Sequence, residues 1–324
     1  MTRILGIETS CDETGLAVVE DGRRIVADEI ASQIDVHKEF GGVVPEIASR
    51  RHTDCISQLA ERVMAAADGN VDAIAATNGP GLMGSLMVGV NFAKALSYAW
   101  ALPFVPVHHI EGHIFASFLT DNPPSFPFLA LVVSGGHTCL IDCQRPHHYV
   151  ILGTTRDDAV GESFDKVARL LGLPYPGGPS IQKASEGGDP EAVTFPRAMV
   201  HDDSLDFSYS GLKTAVLYEM RDRGGDAADI AASFQAAAID VLLIKTKRAL
   251  KKTRAKRLVL AGGVAANRLL RERLTSELTQ DVHMPSIRLC VDNGAMIAAA
   301  AQSRLDHGMI GSLRTTPNPN LPLT

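Results

Sequence analysis

The order of predicted elements repeats along the 324-residue chain. Residues 3–20 alternate as a β-hairpin, with RILGIET and TGLAVVE on either side of the polar turn SCDE, and a third strand follows near residues 25–31. The run LALVVSGGHTCLID at residues 129–142 repeats the hairpin, and HYVILGTT supplies its third strand. Such a repeat predicts a duplicated α/β unit.

A second motif is also repeated after each hairpin. Residues 71–90 (VDAIAATNGPGLMGSLMVGV) and 257–274 (RLVLAGGVAANRLLRERL) both read as a strand, a turn of small residues and a helix. We therefore expect two domains, residues 1–120 and 121–324, with the last helix also able to pack back on the first domain. Small residues let backbone N–H groups approach phosphate oxygens, so a nucleotide is expected in the cleft between the domains.

The remaining predicted elements are helices and short strands. They are helices from Pro45, from about His109, over residues 161–171, over residues 228–252 and from Asn293, with strands at PFVPV and IRLC.

Composition and charge limit the classes of protein. The start MTRILGIETS lacks a basic region before a long apolar stretch, and no apolar run is expected to span a membrane. The five cysteines are scattered and mostly lie in apolar segments, which predicts packing roles and a reducing cytoplasm. The formal charge of -6 argues against a general nucleic-acid coat. One basic segment, KTKRALKKTRAKR at residues 245–257, is either a local nucleic-acid contact or a solvated helix face.

Two familiar nucleotide motifs are excluded. Gly79, Gly81 and Gly84 match GxGxxG, but no Asp or Glu occurs between Gly84 and Glu111, where a dinucleotide site needs an acid for the ribose. These glycines are expected to allow a tight turn and close packing instead. The chain also has no GxxxxGK[ST] loop, so it is not a P-loop ATPase.

The segment HHIEGH predicts a pair of metal ligands. On a helix His109 and His113 project from one face, whereas His108 points elsewhere and is expected to pack or to support them. The pattern is not HExxH, because Glu111 lies on a different face, so peptidase chemistry loses its general base. Asp292, at the start of the last helix, is either an N-cap or a third ligand. Two imidazoles and one carboxylate would leave open positions on iron or zinc.

Several turns are candidates for substrate contacts. SCDE (10–13) and SGGHT (134–138) occupy equivalent places in the two hairpins and resemble paired phosphate clamps. AGGVAAN (261–267) suits a flat adenine or ribose, although packing alone explains its small residues equally well. PGGP (176–179) and Asp165 could form the remaining wall around a ribose.

Taken together, these motifs resemble the bacterial tRNA N6-adenosine threonylcarbamoyltransferases, the TsaD family, formerly described as O-sialoglycoprotein endopeptidases. The resemblance covers nearly the whole length, through ILGIETSCDETG, GGVVPEIASR, NGPGLMGSLMVG, HHIEGH, LVVSGGHT, DKVARLLGLPYPGGP, DFSYSGLKT, LAGGVAANRLLR and VDNGAMIA. It implies a duplicated actin/Hsp70-like (ASKHA, ribonuclease H-like) α/β fold.

The resemblance also implies an activity. The threonylcarbamoyl group of threonylcarbamoyl-AMP would pass to N6 of the adenosine 3′ of the anticodon, in tRNAs that read codons beginning with A, and AMP would leave. The implied cofactor is one divalent metal, Fe2+ or else Zn2+, and the implied partners are tRNA, a smaller actin-like paralogue (TsaB-like) and a separate ATPase (TsaE-like). Relatives carry a more basic C-terminal tail than NPNLPLT, so we assign the tail no role in tRNA binding.

Site residues follow by matching motifs. The resemblance implies metal ligands at His109, His113 and Asp292. The implied donor-binding residues are Val132, Val133, Ser134, Gly135, Gly136, Asp165, Gly178 and Asn267. By position, Asp12 or Glu13 is our candidate for the general base that deprotonates the attacking amine.

Two other functions remain open at this stage. A small-molecule kinase of the same superfamily would transfer phosphate from ATP, but such enzymes use magnesium with carboxylates and water, whereas imidazoles select softer ions. A non-catalytic nucleotide-binding assembly subunit would tolerate changes at His109.

Overall fold

Three antiparallel strands open the chain, as the alternating pattern predicts. In the computed structural model, which describes residues 1–323, they are β1 (Arg3–Glu8), β2 (Glu13–Glu20) and β3 (Arg24–Ser32). Nearly every residue of β1 and β2 is buried, because helices cover both faces of the sheet. The SCDE turn therefore follows directly on a strand end in the interior of the protein.

The rest of the N-terminal segment alternates helices with two parallel strands. Its elements are α1 (Ile34–His37), a 3-10 turn (Lys38–Phe40), α2 (Pro45–Ala66), β4 (Ala73–Gly79), α3 (Met83–Trp100), β5 (Phe104–His108), α4 (His109–Ala116) and a 3-10 turn (Ser117–Leu119). Helix α2 begins at Pro45, whose missing N–H costs nothing at a first helical position. Its buried face, Ile56, Leu59 and Val63, packs in one core with residues of β1, β2 and β4.

The central segment repeats this plan. Its elements are β6 (Phe128–Val133), β7 (Thr138–Arg145), β8 (His148–Thr154), α5 (Val160–Leu170), α6 (Gly177–Ala184), α7 (Ser210–Asp222), α8 (Ala227–Thr253), β9 (Arg257–Ala261), a 3-10 turn (Gly263–Ala266), α9 (Arg268–Glu277) and β10 (Asp281–His283). Strand order is β3-β2-β1-β4-β5 in the first sheet and β10-β9-β6-β7-β8 in the second. Read from the hairpin outwards, the two orders are the same, which confirms the duplication.

The C-terminal segment contains α10 (Ile287–Cys290) and α11 (Gly294–Asp306). The prediction of a strand at IRLC was wrong. Leu289 and Cys290 are buried while Ile287 and Arg288 are exposed, a pattern that does not alternate as in a strand and suits one helical turn. The helix expected from Asn293 is α11.

The chain forms two compact units, residues 1–123 with 285–323, and residues 124–284. The expectation was a boundary near residue 120 with the last helix able to pack back on the first domain. That helix, α11, belongs to the first unit and lies across β1 and β2. Glycines allow that close approach: a Cβ on Gly6 would collide with the Gly294 carbonyl, and one on Gly15 would lie 2.8 Å from the Gly294 nitrogen. The first unit is therefore completed by the end of the chain.

Helix α8 differs from the expectation that no segment reaches membrane-spanning length. Among residues 1–323 it alone has the length and apolar composition to cross a membrane. However, 67% of its most apolar window is buried inside the protein, as in the core helix of a globular domain. All five cysteines are free thiols, and Cys139 and Cys143 are buried in β7, in the packing roles predicted for them.

Candidate functional site

Three predicted metal ligands meet in the first unit. His109 and His113 of α4 and Asp292, just before α11, place one ligand atom each within 4.8 Å of the others. Nε2 of His113 lies 3.1 Å and Nε2 of His109 lies 3.7 Å from the same Asp292 oxygen, Oδ1. The two imidazole rings stand edge to face with their centroids 4.6 Å apart. Two histidines four residues apart on one helix thus meet a carboxylate that is distant in the sequence.

Caps at the two helix ends hold these ligands. His108 is the N-cap of α4, where its Nδ1 accepts a hydrogen bond from the Ile110 N–H at 3.1 Å and its Nε2 lies 3.0 Å from the Leu321 carbonyl oxygen. The N-cap of α11 is Asn293, whose side chain accepts from the Met296 N–H. The reading of Asp292 as a plain N-cap is therefore wrong, because Asn293 does that work and leaves the Asp292 carboxylate turned to the histidines.

The residues fit a divalent metal ion. Both ring nitrogens of His113 are buried without a hydrogen bond, although Nε2 faces Asp292, and an unpaired buried polar atom is costly. Burial lowers the pKa of His109, but the carboxylates of Asp292 and Glu8 outweigh burial and raise that pKa to about 9. The pocket thus attracts positive charge. Two imidazoles with one carboxylate are the ligand set of zinc and non-haem iron sites.

Glu8, at the buried end of β1, supports His109 from the other side. Its Oε2 lies 3.2 Å from Nδ1 of His109, and the Ser10 hydroxyl lies 3.1 Å from the same nitrogen. The Glu8 carboxylate also accepts hydrogen bonds from the Ser10 N–H and the Thr77 hydroxyl. A carboxylate on the second nitrogen fixes the ring and leaves Nε2 for a metal. The sequence analysis missed this residue, although an acid that ends the apolar run ILGIE was a usable signal.

Asp12 and Glu13 lie in the turn and strand that follow. Burial, the neighbouring Asp12 and then Asp292 raise the pKa of Glu13 well above its usual range, and the Glu13 side chain hydrogen-bonds to Asp12 and to the Ser32 hydroxyl. The raised pKa favours the protonated form of the Glu13 carboxyl. The turn is pinned by His52, whose Nε2 lies 2.9 Å from the Cys11 carbonyl oxygen.

In the second unit, the predicted donor-binding run lies where β6 ends. Val132 and Val133 are fully buried strand residues, and Ser134 begins the tight turn into β7. Gly135 and Gly136 have open space where a side chain would be. The backbone of this turn is therefore accessible, as a phosphate clamp requires.

Two neighbouring glycines allow other elements to pack closely against that turn. The Gly161 N–H at the start of α5 donates to the Ser134 carbonyl at 3.2 Å, and a Cβ on Gly161 would lie 2.6 Å from that oxygen. Gly262, at φ +92°, follows β9, and a Cβ there would collide with the Val133 carbonyl. The sequence analysis did not single out Gly161.

The other three predicted donor-binding residues lie on α5, α6 and before α9. Asp165 accepts a hydrogen bond from the Gly177 N–H at 2.7 Å, and the adjacent Gly178 faces open space. Asn267 caps α9 through the Leu270 N–H, and its amide donates to Gln235 at 2.8 Å. Asp165 and Asn267 thus form hydrogen bonds that position other groups of the protein. The sequence analysis did not identify Gln235, the side-chain partner of Asn267.

Glu111 carries no role in the metal set. It is 1% exposed and its carboxylate pairs with Arg304 of α11 at 2.8 Å. The carboxylate that a zinc peptidase would need as a base is therefore committed to an ion pair on another face, as the HHIEGH pattern predicted.

A family comparison decides between the readings. The model of "TsaD: tRNA N6-adenosine threonylcarbamoyltransferase" matches residues 24–299. The chain belongs to the TsaD family.

Two TsaD relatives carry the same description, "tRNA N6-adenosine threonylcarbamoyltransferase". The protein from Anaeromyxobacter dehalogenans 2CP-1 is 50% identical, covering 99% of this chain and 98% of its own. The protein from Burkholderia thailandensis is 52% identical, covering 93% and 92%. The TsaD chain is thus an enzyme, a transferase that acts on tRNA.

Solved structures resemble the chain in fold alone. Full-length HypF, in its phosphate- and nucleotide-bound form, matches 96% of this chain over 56% of its own with a TM-score of 0.66 at 16% identity. Component A of the Acidaminococcus fermentans (R)-2-hydroxyglutaryl-CoA dehydratase matches 94% over 100%, with a TM-score of 0.56 at 14% identity. The duplicated actin/Hsp70-like fold expected for a TsaD protein is confirmed.

Proposed function

We propose that the protein transfers the threonylcarbamoyl group of threonylcarbamoyl-AMP to N6 of the adenosine 3′ of the anticodon, in tRNAs that read codons beginning with A. The observation that carries this proposal is the convergence of His109, His113 and Asp292 within 4.8 Å in a chain of the TsaD family. Such a set distinguishes the chain from magnesium-dependent kinases of related fold.

In the proposed reaction, the N6 amine attacks the carbamoyl carbonyl carbon. A C–N bond forms, the bond from that carbon to the phosphate oxygen of the donor breaks, and AMP leaves with the bonding electron pair. A divalent ion held by His109, His113 and Asp292 would supply Lewis-acid stabilisation of charge on carbonyl and phosphate oxygens. We propose Fe2+ as the resident ion, with Zn2+ as the alternative.

The chain's own carboxyls would handle the proton. The amine loses a proton as it attacks, and Asp12 or Glu13 would accept it. Because burial and the neighbouring Asp12 raise the pKa of Glu13, we propose Asp12 rather than Glu13 as the base. Turnover that survives Asp12→Asn unchanged would remove it from this role.

The second unit would bind the adenylate. We propose that backbone groups of Ser134, Gly135 and Gly136 hold phosphate, that the open face at Gly178 accepts the ribose, and that Asp165 and Asn267 fix the surrounding walls. Val132 and Val133 would contribute through the backbone and by positioning the turn, because their side chains are fully buried. The proposed partners are a smaller actin-like paralogue and a separate ATPase, and the proposed location is the cytoplasm.

The test is a reconstituted reaction. Purified protein is incubated with threonylcarbamoyl-AMP, unmodified tRNA and the two partners, and the digested tRNA is analysed for threonylcarbamoyladenosine by mass spectrometry. We expect product from the wild type and from His148→Ala, an exposed control histidine, and none from the His109→Ala/His113→Ala variant. Absence of product from the intact set, with ATP consumed on a small metabolite instead, would favour the kinase.

A further inference from the structure

A cleft of about 740 Å3 lies in the second unit, away from the predicted donor-binding residues. One wall is the end of α8 with the loop that follows it, and the other is the segment from the end of α9 to β10. Four basic residues line it, Lys247, Lys251, Arg254 and Lys256, together with the acids Glu277 and Asp281. All six are exposed.

The charges in this cleft do not cancel. Glu277 is paired with Lys247 at 2.7 Å and with Arg273, outside the cleft, also at 2.7 Å. Within residues 1–323 none of the other three basic residues has an ion pair, and Asp281 is the one lining acid without one. Three cations thus face a single unpaired carboxylate on a concave surface, which concentrates positive potential.

Helix stabilisation explains only part of this cluster. Lys251 and Lys252 lie in the last turn of α8, where cations interact favourably with the helix dipole. Arg254 is the C-cap and has φ +57°, a left-handed conformation that favours glycine, and Lys256 lies beyond the helix. Position 254 therefore carries a charged side chain although its backbone conformation favours glycine.

We propose that this cleft, lined by Lys251, Arg254 and Lys256, binds the phosphate backbone of the tRNA substrate; this inference rests on the proposed function. Lysine and arginine neutralise phosphates without reading bases, and Thr279 and Gln280 on the opposite wall add hydrogen-bonding groups. A chain with a net charge of -6 repels a polyanion on average, so a local group of unpaired cations is where it would bind tRNA.

The cleft is placed to act together with the donor site of its own unit. It lies at the Arg257 end of β9, whereas Gly262 and Asn267 follow the other end. Five strand residues separate the two ends by roughly 16 Å at about 3.3 Å per residue. Because tRNA is far longer than that, its backbone can reach the cleft while its anticodon region is held elsewhere.

The experiment compares adjacent lysines in the full-length protein. Lys251→Glu and Lys252→Glu change the charge equally, on the same helical turn, but only Lys251 lines the cleft. Binding of an unmodified tRNA transcript is measured by fluorescence anisotropy over a range of salt concentrations. We expect Lys251→Glu combined with Arg254→Glu to weaken binding about tenfold near 0.1 M salt, and each lost phosphate contact to reduce the slope of log K against log salt by about 1. Lys252→Glu should bind like the wild type.

A variant that should bind tRNA more tightly provides a second test. Asp281→Asn removes the unpaired carboxylate of the cleft and should tighten binding of the same transcript, with a steeper salt dependence. In the transfer assay the Lys251→Glu/Arg254→Glu variant should need about tenfold more tRNA than the wild type to reach its half-maximal rate, whereas Lys252→Glu should need no more. This dependence on tRNA concentration separates the inference from the proposed function. Equal losses in the Lys251 and Lys252 variants, or loss of a protein partner with tRNA affinity unchanged, would overturn the assignment. Absence of product from the wild type would instead refute the proposed function.

Discussion

At the scale of single residues, the metal set depends on a side chain that is not a ligand. Glu8 is fully buried and lies against Nδ1 of His109, on the ring edge opposite to the one that faces Asp292. The carboxylate therefore selects which nitrogen of His109 is available. Glu8 acts as a positioning residue, because its contacts are with the protein.

The first prediction concerns this contact. Glu8→Gln keeps the shape of the side chain but removes its charge, so His109 becomes a weaker and less well oriented ligand. We expect the affinity for Co2+ or Zn2+ to fall by about 10- to 100-fold, the usual cost of losing such a partner. Equilibrium dialysis with metal analysis measures it, with Glu20→Gln, an acid paired to Arg3 and Arg24, as the control. An affinity unchanged from wild type would show that Glu8 does not position His109.

His52 gives a prediction about pH. Burial lowers the pKa of His52, whose ring contacts the Thr14 hydroxyl and the Cys11 carbonyl; nearby Glu8 and Asp12 partly oppose that effect. The folded protein therefore binds fewer protons here than the unfolded chain. Its contribution to stability is present above the ordinary histidine pKa of about 6.5 and is lost as the pH falls below that value.

The measurement is the thermal midpoint of the metal-free protein between pH 7.5 and 5. We expect the wild-type midpoint to fall relative to that of His52→Gln as the pH decreases, because the variant lacks this one difference in proton binding between the folded and unfolded states. His148→Gln, at an exposed position, should retain the wild-type slope. Parallel curves for wild type and His52→Gln would contradict the prediction.

At the scale of elements, α4 and α11 form the frame of the metal set. The Glu111–Arg304 ion pair joins them on the face away from the ligands, with Glu111 1% and Arg304 19% exposed. Helix α4 carries His109 and His113, and α11 begins just after Asp292. Their docking therefore determines the distance between the ligands.

The element-scale prediction breaks that pair. Arg304→Met leaves the Glu111 carboxylate buried without its cation, which typically costs about 3–5 kcal/mol, whereas Glu111→Gln combined with Arg304→Met should cost less. Urea unfolding of the metal-free protein measures both. Arg288→Met, which removes the half-exposed pair with Asp28, should cost about 0–1 kcal/mol. A loss for Arg304→Met no larger than that of Arg288→Met would show that the pair does not hold the helices.

The elements also show what sequence can predict. Strands and long helices follow from local alternation and periodicity, so the hairpins, α2 and α8 were foreseen. IRLC was misread because a four-residue apolar run fits a strand and a helical turn equally well. From its local sequence Asp292 could be either an N-cap or a ligand, because its position before a helix was visible and its neighbours His109 and His113, about 180 residues away, were not. Glu8 and Gln235 were missed because their roles exist only in long-range contacts.

At the scale of the whole molecule, the metal set joins two distant parts of the chain. Because a ligand that binds only the folded state stabilises it, a divalent ion at 100 times its dissociation constant should add about 2.7 kcal/mol. We expect Co2+ to raise the thermal midpoint of the wild type and of Asp203→Asn, an exposed control, but not of Asp292→Asn. Differential scanning fluorimetry measures this, and an equal rise in Asp292→Asn would place the ion elsewhere.

The discontinuity of the first unit has a consequence for the order of synthesis. Residues 124–284 are contiguous and can fold as soon as they leave the ribosome, whereas the unit that begins the chain still lacks α11 at that time. Gly6 and Gly15 then have no helix against them, and His109 and His113 have no carboxylate opposite. The nascent chain consequently acquires its complete ligand set only after Asp292 emerges, so a chain terminated before that residue carries both histidines without the third ligand.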